Sequence, residues 1–584
     1  MTSETPPTMR DESAAARRRH LMPRWQVFIP SAAVIVMFVA YAWIFTDQAT
    51  AGVERVQEVV VTSLGWFYIV IVAGFVVFVL VMGLGRFGDV KLGRDRDEPE
   101  FSIPAWLAML FAAGMGIGLV FWGVAEPLSH LANPRPGVTG TDAELAQQAM
   151  IQTFLHWGVH PWAIYVIVGL AIAYAVHRRG RPVSIRWALE PVLGRSVRGW
   201  VGDLIDIVAI VGTVFGVATS LGLGVLQIAE GMALVGDIDA GEVMHVSLVI
   251  GITLIAILSV ATGLRRGIKW LSQINISLMA LLLVFILVAG PTLFLLREFI
   301  QSIGVYLQNV LQLSFDVGAL QGDEGAEWAA AWTTFYWGWW MSWAPFVGIF
   351  IARISKGRTV RQFVGGVLLV PTLVSFLWFS ILGGAALHEE VFGPGGLIGI
   401  ENGEPVVTEE GALFGLLDTL PAATFVSIGV IILITLFFIT SSDSGSLVVD
   451  MLSSGGSPDP PTWSRVFWAA VEGAVAVALV LMVADQEGLA ALQTAVVIAA
   501  VPVSVVMILM CVALWRQLHA ERTAQLRAER DRRAEELSAQ VSGQVSEEVT
   551  EQVPERVTEH LIDEGIIRPR RPRRARKQPP AADG

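Results

Sequence analysis

The chain has 584 residues, 54% of them apolar and only 16% charged, with a mean hydropathy of +0.60 and a formal net charge of −12. That balance excludes an ordinary soluble domain, offers nothing for a nucleic-acid partner, and describes a polytopic membrane protein. The single cysteine, Cys511, excludes an intrachain disulfide and any cysteine-based metal cluster.

Residues 1–25 form a polar, proline-containing tail. From there to residue 515, apolar windows of about 19 residues recur, each long enough for a hydrocarbon core of about 30 Å. About twelve are read, near 27–46, 66–84, 104–123, 154–176, 203–234, 244–262, 270–296, 328–352, 364–386, 416–445, 466–484 and 490–514. The first is too long for a signal peptide and lacks a small-residue cleavage site. Arg17, Arg18, Arg19 and Arg24 precede it, and Arg86, Lys91, Arg178, Arg181, Arg265, Lys269, Arg353 and Arg358 fall in loops on the same side. The alternate loops are nearly free of Lys and Arg, and several are acidic (Asp237, Asp239; Glu389, Glu390; Asp485, Glu487). The expectation is therefore twelve transmembrane helices in a cell membrane with both termini cytoplasmic.

Residues 298–327, between the seventh and eighth spans, are only moderately apolar and are expected to form an amphipathic surface helix outside. Residues 516–584 form a charged cytoplasmic tail with the stamp of a regulatory segment. Its first part is rich in helix formers. Val541, Val545, Val549, Val553 and Val557 then recur every four residues, and Pro554 argues against one unbroken helix there. The closing "RPRRPRRARKQPP" reads either as a solvated end or as a contact for anionic lipid. His156 and His160 sit four apart, but no neighbouring carboxylate accompanies them in sequence. They are read as interfacial residues, not zinc ligands.

The third span contains "AAGMGIGLVFWG", with glycines at 114, 116 and 118. Each costs a helix roughly 0.5–1 kcal/mol relative to Ala, so local unwinding is expected, with close helix packing as the bland alternative. The eighth span, "FYWGWWMSWAPFVG", is punctuated by Gly338, Pro345 and Gly348. If spans 3–7 and 8–12 are two five-helix repeats, these interruptions occupy corresponding positions, which points to a transporter's central binding site.

That eighth span also holds four tryptophans between positions 337 and 343. At about 100° per residue, Phe335, Trp339, Trp340, Trp343 and Phe346 share an arc of roughly 140°, and Trp337 falls outside it. No acid or base lies between Trp328 and Ala352, so the face offers π surfaces and indole N–H groups without a counter-ion. Such a surface suits a cation whose charge is spread over methyl groups; an aromatic packing seam or interfacial belt is the competing reading. "HWGVHPWAIY" in the fourth span adds Trp157, Trp162 and Tyr165.

"GMGIGLVFWGVAEP", "HWGVHPWAIY" and "FYWGWWMSWAPFVGIFIARISKGRT" closely resemble the betaine/carnitine/choline transporter family, over roughly residues 25–515. The resemblance implies an all-α, LeuT-like fold of two inverted five-helix repeats after two extra helices, assembled as a homotrimer. It implies that Trp157, Trp162, Tyr165 and Trp340 form a box for trimethylammonium. Trp339, Trp343 and Phe335 would line the inward route or an alternate solute position, and Gly114, Met115, Gly116 and Gly118 the flexible stretch at the solute. Gly118 resembles sodium-driven betaine members, whereas proton-driven choline members carry Asp there.

"FFITSSDSGS" places Thr440, Ser441 and Ser444 on about one side of a helix beside Phe437. Alone, such a run fits simple capping. The resemblance makes Thr440, Ser441 and Phe437 a second sodium site, completed by backbone carbonyls of Ala112 and Met115. Thr213 and Phe346 match a first sodium site, weakened by Val217 where relatives have a second threonine. The expected function is sodium symport of a small zwitterionic solute for osmoprotection: glycine betaine first, ectoine or proline as alternatives. Proton-coupled choline uptake and an osmosensor with little transport are the rivals. No catalytic residues and no cofactor besides sodium are expected.

Overall fold

The structure, a computed structural model, describes residues 22–114, 116–262, 265–484 and 489–568. The tail through residue 21, Met115, Asp485, Glu487 and the arginine-rich end from residue 569 lie outside the described residues. Apart from one short hairpin (β1, Gly399–Glu401; β2, Glu404–Val406), the regular structure is helical. In chain order the main helices are α1 (Trp25–Ile44), α2 (Thr46–Leu84), α3 (Ile103–Gly114), α4 (Ile117–Ala132), α5 (Asp142–Trp157), α6 (Val159–Ala173) and α7 (Trp200–Gly236). Then come α8 (Glu242–Thr262), α9 (Arg265–Ala289), α10 (Thr292–Ser314), α11 (Phe335–Ile354), α12 (Val360–Phe392), α13 (Ala423–Ser453), α14 (Thr462–Ala484) and α15 (Ala490–Asp563).

Among the described residues, ten helical stretches are long and apolar enough to cross a membrane. The third and eighth sequence spans are not among them. The third is cut into α3 and α4, and the eighth replaces aliphatic residues with indoles and glycines, which lowers its hydropathy. Burial separates core from rim: 89% of the most apolar window of α5–α6 is buried, against 22% for α9. The helices at the centre are thus the fourth-span pair, with α11 and α12 packed directly on α6.

Local chemistry explains the boundaries. Thr141 and Thr359 each form a capping box, with Glu144 and Gln362, at the starts of α5 and α12. Asp237 takes the left-handed conformation (φ 52°) that closes α7. α5 stops at Gly158, where a Cβ would meet the Phe154 carbonyl oxygen at 2.5 Å and a Phe376 ring carbon at 2.7 Å. Only glycine fits that corner.

Two sequence expectations are corrected. α11 is continuous from Phe335 to Ile354, with Pro345 inside it, so the eighth span is not interrupted. Its glycines serve close approach: a Cβ on Gly338 would meet the Val497 backbone at 3.0 Å, and one on Gly348 the Val168 side chain at 2.6 Å. The second break in the buried core lies in the fourth span, at Gly158. Likewise α15 runs unbroken past Pro554. That residue forfeits one backbone N–H, a modest loss on an exposed helix, and its carbonyl accepts from Thr558 Oγ1 at 2.5 Å.

The amphipathic helix between spans seven and eight is α10, which buries Leu295, Ser302, Tyr306 and Leu313 and exposes Ile300, Leu307 and Leu311. Residues Met1–Leu518 form one compact unit and His519–Gly584 a second. In the second, Val541, Val545, Val549, Val553 and Val557 are all exposed.

At the start of α7 a polar knot fixes the helix ends. Arg186, 1% exposed, meets Asp206 (Nε–Oδ2, 2.5 Å) and Asp203 (Nη1–Oδ1, 2.8 Å), and Asp203 also binds Arg24 just before α1 (2.8 Å). Asp206 further accepts from Ser184 Oγ and the Arg186 backbone N–H. Removing one partner of a buried ion pair typically costs about 3–5 kcal/mol. Arg186→Met is therefore expected to lower the thermal unfolding midpoint in detergent by several degrees. A melting curve superimposable on the wild type would refute that role.

Candidate functional site

Close packing of α11 on α6 turns the indoles toward a shared space. Trp157, Trp162, Tyr165 and Trp340 line one cavity of about 30 Å³ together with Pro161, Trp343, Val347 and Ser375. That is room for about two waters. The rings meet edge to face: Trp157–Trp340 at 4.8 Å, Trp162–Tyr165 at 5.4 Å and Tyr165–Trp340 at 6.4 Å. No charged side chain is among the lining residues. Behind Trp340, Trp339 stacks at 4.7 Å and 12°, and Phe335 stacks in turn on Trp339 at 5.5 Å. Trp337 stacks on His160 at 5.3 Å, away from the cavity.

The helix break at Gly158 contributes directly. It frees the last carbonyls of α5 from helical bonding, and the His156 carbonyl accepts from Trp340 Nε1 at 2.9 Å. Gly118, near the start of α4, lies under two indoles: a Cβ there would fall 2.5 Å from Trp339 Cη2 and 3.1 Å from Trp157 Cη2. A Cβ on Gly116 would touch Trp343 at 3.7 Å. The N-terminus of α4 has no side-chain cap, and of its first N–H groups that of Leu119 donates to the Gly116 carbonyl at 3.2 Å. Gly114 ends α3, and Ala112 is described only as helical backbone.

A carboxylate stands behind the box, contrary to a face without any counter-ion. Glu126 of α4 is fully buried. Its Oε2 accepts from Trp157 Nε1 (2.6 Å) and from the Tyr336 hydroxyl (2.5 Å). Its Oε1 faces His156 Nδ1 at 2.6 Å and His130 Nε2 at 3.3 Å. His156 Nε2 lies 3.1 Å from Thr333 Oγ1 and 3.2 Å from Gln152 Nε2. His156 and His160 are 0% and 1% exposed, so the interfacial reading is corrected. The carboxylate that sequence spacing failed to supply comes from another helix. Glu126, His130 and His156 bring three ligand-type atoms within 4.8 Å of one another, and hydrogen bonds already account for the closest contacts.

The hydroxyl-rich stretch of α13 opens on a second, larger cavity of about 170 Å³. Phe437, Thr440, Ser441 and Ser444 line it opposite Ser272 and Asn275 of α9 and Trp343, Phe346, Val347 and Phe350 of α11. Trp343 and Val347 line both cavities and form the wall between them. Thr440 Oγ1 donates back to the Leu436 carbonyl (3.0 Å) and accepts from Asn275 Nδ2 (3.2 Å). Thr213 is completely buried and donates to the Ala209 carbonyl at 2.7 Å. Phe346 lies with the α13 set and Thr213 does not line that cavity, so the structure does not gather these two residues in one cavity.

A profile of the betaine/carnitine/choline family of transporters matches residues 26–523. The chain belongs to that family. It is 48% identical over 501 residues to an uncharacterized transporter of Mycobacterium tuberculosis, covering 85% of this chain and 83% of the relative. It is 42% identical over 506 residues to the glycine betaine transporter of Bacillus subtilis, covering 87% and 96%. A glycine betaine/proline/choline transporter of Vibrio parahaemolyticus is 40% identical over 512 residues, covering 85% and 90%. The protein is therefore an integral-membrane transporter, not an enzyme.

Sequence reasoning singled out the indoles but passed over Glu126, Tyr336, His130 and Asn275. The available signal for Glu126 was its place in the apolar stretch just past the third span, in the helix Ile117–Ala132, where a carboxylate is costly and marks function by default. The glycine under the indoles gives a direct test. Gly118→Val is expected to destabilise the protein by about 1–3 kcal/mol through overpacking, read as a lowered unfolding midpoint. Adding Trp339→Phe should recover part of that loss; strictly additive effects of the two changes would refute the contact.

Proposed function

We propose that this transporter imports a zwitterionic compatible solute by sodium symport through alternating access, and that it serves osmoprotection. Glycine betaine is the first choice, with ectoine or proline as alternatives. The observation that carries the reading is the cavity walled by Trp157, Trp162, Tyr165 and Trp340 with no charged lining. A trimethylammonium group has no N–H to donate, so carbonyls and hydroxyls offer it little. Aromatic faces attract it by about 2 kcal/mol when water is excluded. The solute's carboxylate would turn to the uncapped N–H groups that begin α4, beside Gly116 and Gly118. The names of the Bacillus and Vibrio relatives support the same solute class.

Sodium is assigned to the hydroxyls of Thr440 and Ser441 beside Phe437, with carbonyls of the third span around Ala112 and Met115. Hard oxygen ligands suit a small cation. The first site is weaker in this reading: Thr213 already uses its hydroxyl on Ala209, and Val217 offers none. Proton-coupled choline uptake is disfavoured at Gly118, because a side chain there collides with Trp339 in this conformation. The reading further takes the chain as twelve spans in two inverted repeats, with cytoplasmic termini, assembled as a homotrimer in the cell membrane. The basic C-terminal end would meet anionic lipid.

Uptake of labelled glycine betaine, ectoine, proline and choline into proteoliposomes, under imposed sodium or proton gradients, tests the proposal. Sodium-driven betaine accumulation is expected. Betaine uptake indifferent to sodium would sink the mechanism, and no uptake of any of these solutes would sink the function. Trp340→Ala is expected to raise the apparent KM for betaine by about thirtyfold, from lost cation–π contact. An unchanged KM in that variant would remove Trp340 from the site.

A further inference from the structure

We propose that Glu126 is the counter-charge of the aromatic box, acting on a bound methylated cation through the indole of Trp157. The inference rests on the solute reading above and names the residue that sets its charge selectivity. One box ring rests on this carboxylate directly and a second through Tyr336. Trp157 gives it its N–H at 2.6 Å, and Tyr336, which gives it its O–H, stacks on Trp340 at 5.8 Å and 26°. Trp157 is itself a wall of the cavity. A carboxylate whose Oε2 accepts from both donors therefore stands one indole behind the place where the ammonium would sit.

The charge is not cancelled by the groups around it. No Lys or Arg appears among the described hydrogen bonds or ion pairs of Glu126. With its Nδ1–H turned to Glu126, His156 keeps Nε2 as the acceptor for Gln152 Nε2 and Thr333 Oγ1, which makes the ring neutral. His130 approaches at 3.3 Å, and its other ring nitrogen has no partner among the described residues. Glu409, in the loop before the short helix Ala412–Asp418, also interacts with Glu126. Burial, Glu410 and Glu126 push its carboxyl up to about 8.

The arrangement suits a solute that must be released. Direct contact between carboxylate and ammonium would trap the cation. An intervening ring keeps the two apart, and its hydrogen bond to a carboxylate enriches the π face that the cation meets. A neutral head of the same shape gains nothing from that charge.

The test compares glycine betaine with 3,3-dimethylbutanoate, which carries an uncharged tert-butyl group in place of trimethylammonium. Full-length wild type and Glu126→Gln in proteoliposomes are assayed for betaine KM and Vmax and for inhibition by dimethylbutanoate. The Gln variant is expected to raise the betaine KM about tenfold or more, as a lost charge one indole away implies. Inhibition by dimethylbutanoate should weaken less than betaine binding does, so that the preference for betaine falls. Glu126→Asp keeps the charge and should retain the preference for betaine over dimethylbutanoate.

Equal weakening of both compounds in the Gln variant would reduce Glu126 to a structural strut and overturn the proposal, as would an unchanged betaine KM. If the Gln variant fails to run as a monodisperse species, the Asp variant decides: a lost preference with the charge in place overturns the proposal, and a retained one supports it. Wild-type protein indifferent to betaine would overturn the solute reading itself, before any variant is considered.

Discussion

The hydrogen-bonded node at Glu126 is the constraint on which the site's geometry depends. It joins three pieces of chain: α4 through Glu126 and His130, the end of α5 through His156 and Trp157, and the start of α11 through Tyr336 with Thr333 just before it. A buried carboxylate is tolerated only when its lone pairs are used, and here N–H and O–H groups converge on both oxygens. Those donors come from aromatic side chains, so satisfying the carboxylate also fixes ring orientation. The polar requirement and the aromatic architecture are one requirement.

Around that node the backbone supplies room by omission. The glycines of α11 let it approach α15 at Gly338 and α6 at Gly348, while Gly169 of α6 answers with a Cβ position only 2.6 Å from Ile351. Large rings and absent side chains alternate, so the indoles fill the volume left by close helix contact instead of forcing the helices apart. This explains why α11 stays helical through three residues that would weaken an isolated helix. The buried contacts on each side outweigh intrinsic propensity, which is only a weak prior.

Much of this was legible in sequence. Hydropathy windows located the helices, and alternate-position glycines located the break between α3 and α4. Helical angles separated Trp337, which stacks on His160, from Trp339 and Trp340, which stack on each other. What sequence could not show was anything set by contact between distant segments. Gly338 and Gly348 read as helix breakers because their partners, Val497 and Val168, lie far away along the chain. Glu126 read as part of a motif and not as an actor, because its partners Trp157 and Tyr336 stand 31 and 210 positions away. Pro554 read as a stop because its cost is local, yet an exposed helix already built on both sides tolerates it.

The two cavities share a wall, and that wall bears on how ion and solute could be linked. Trp343 faces the aromatic cavity and the hydroxyl-lined one, and its ring edge lies where a Cβ on Gly216 of α7 would sit at 2.6 Å. Its indole N–H is buried without a hydrogen-bond partner among the described residues. An unmet donor is costly to bury, so this rotamer is held by packing against Gly216 and its neighbours, not by a polar anchor. A side chain so placed has little polar reason to stay and two cavities to move toward. A cation drawn between α13 and the third span would tighten one side of that wall and leave the other side to the solute. Reciprocity of linkage then requires that solute binding strengthen ion binding by the same factor. If sodium binds as proposed, the larger cavity, lined by Thr440 and Ser441 yet bounded by Trp343, is where that coupling would have a physical carrier.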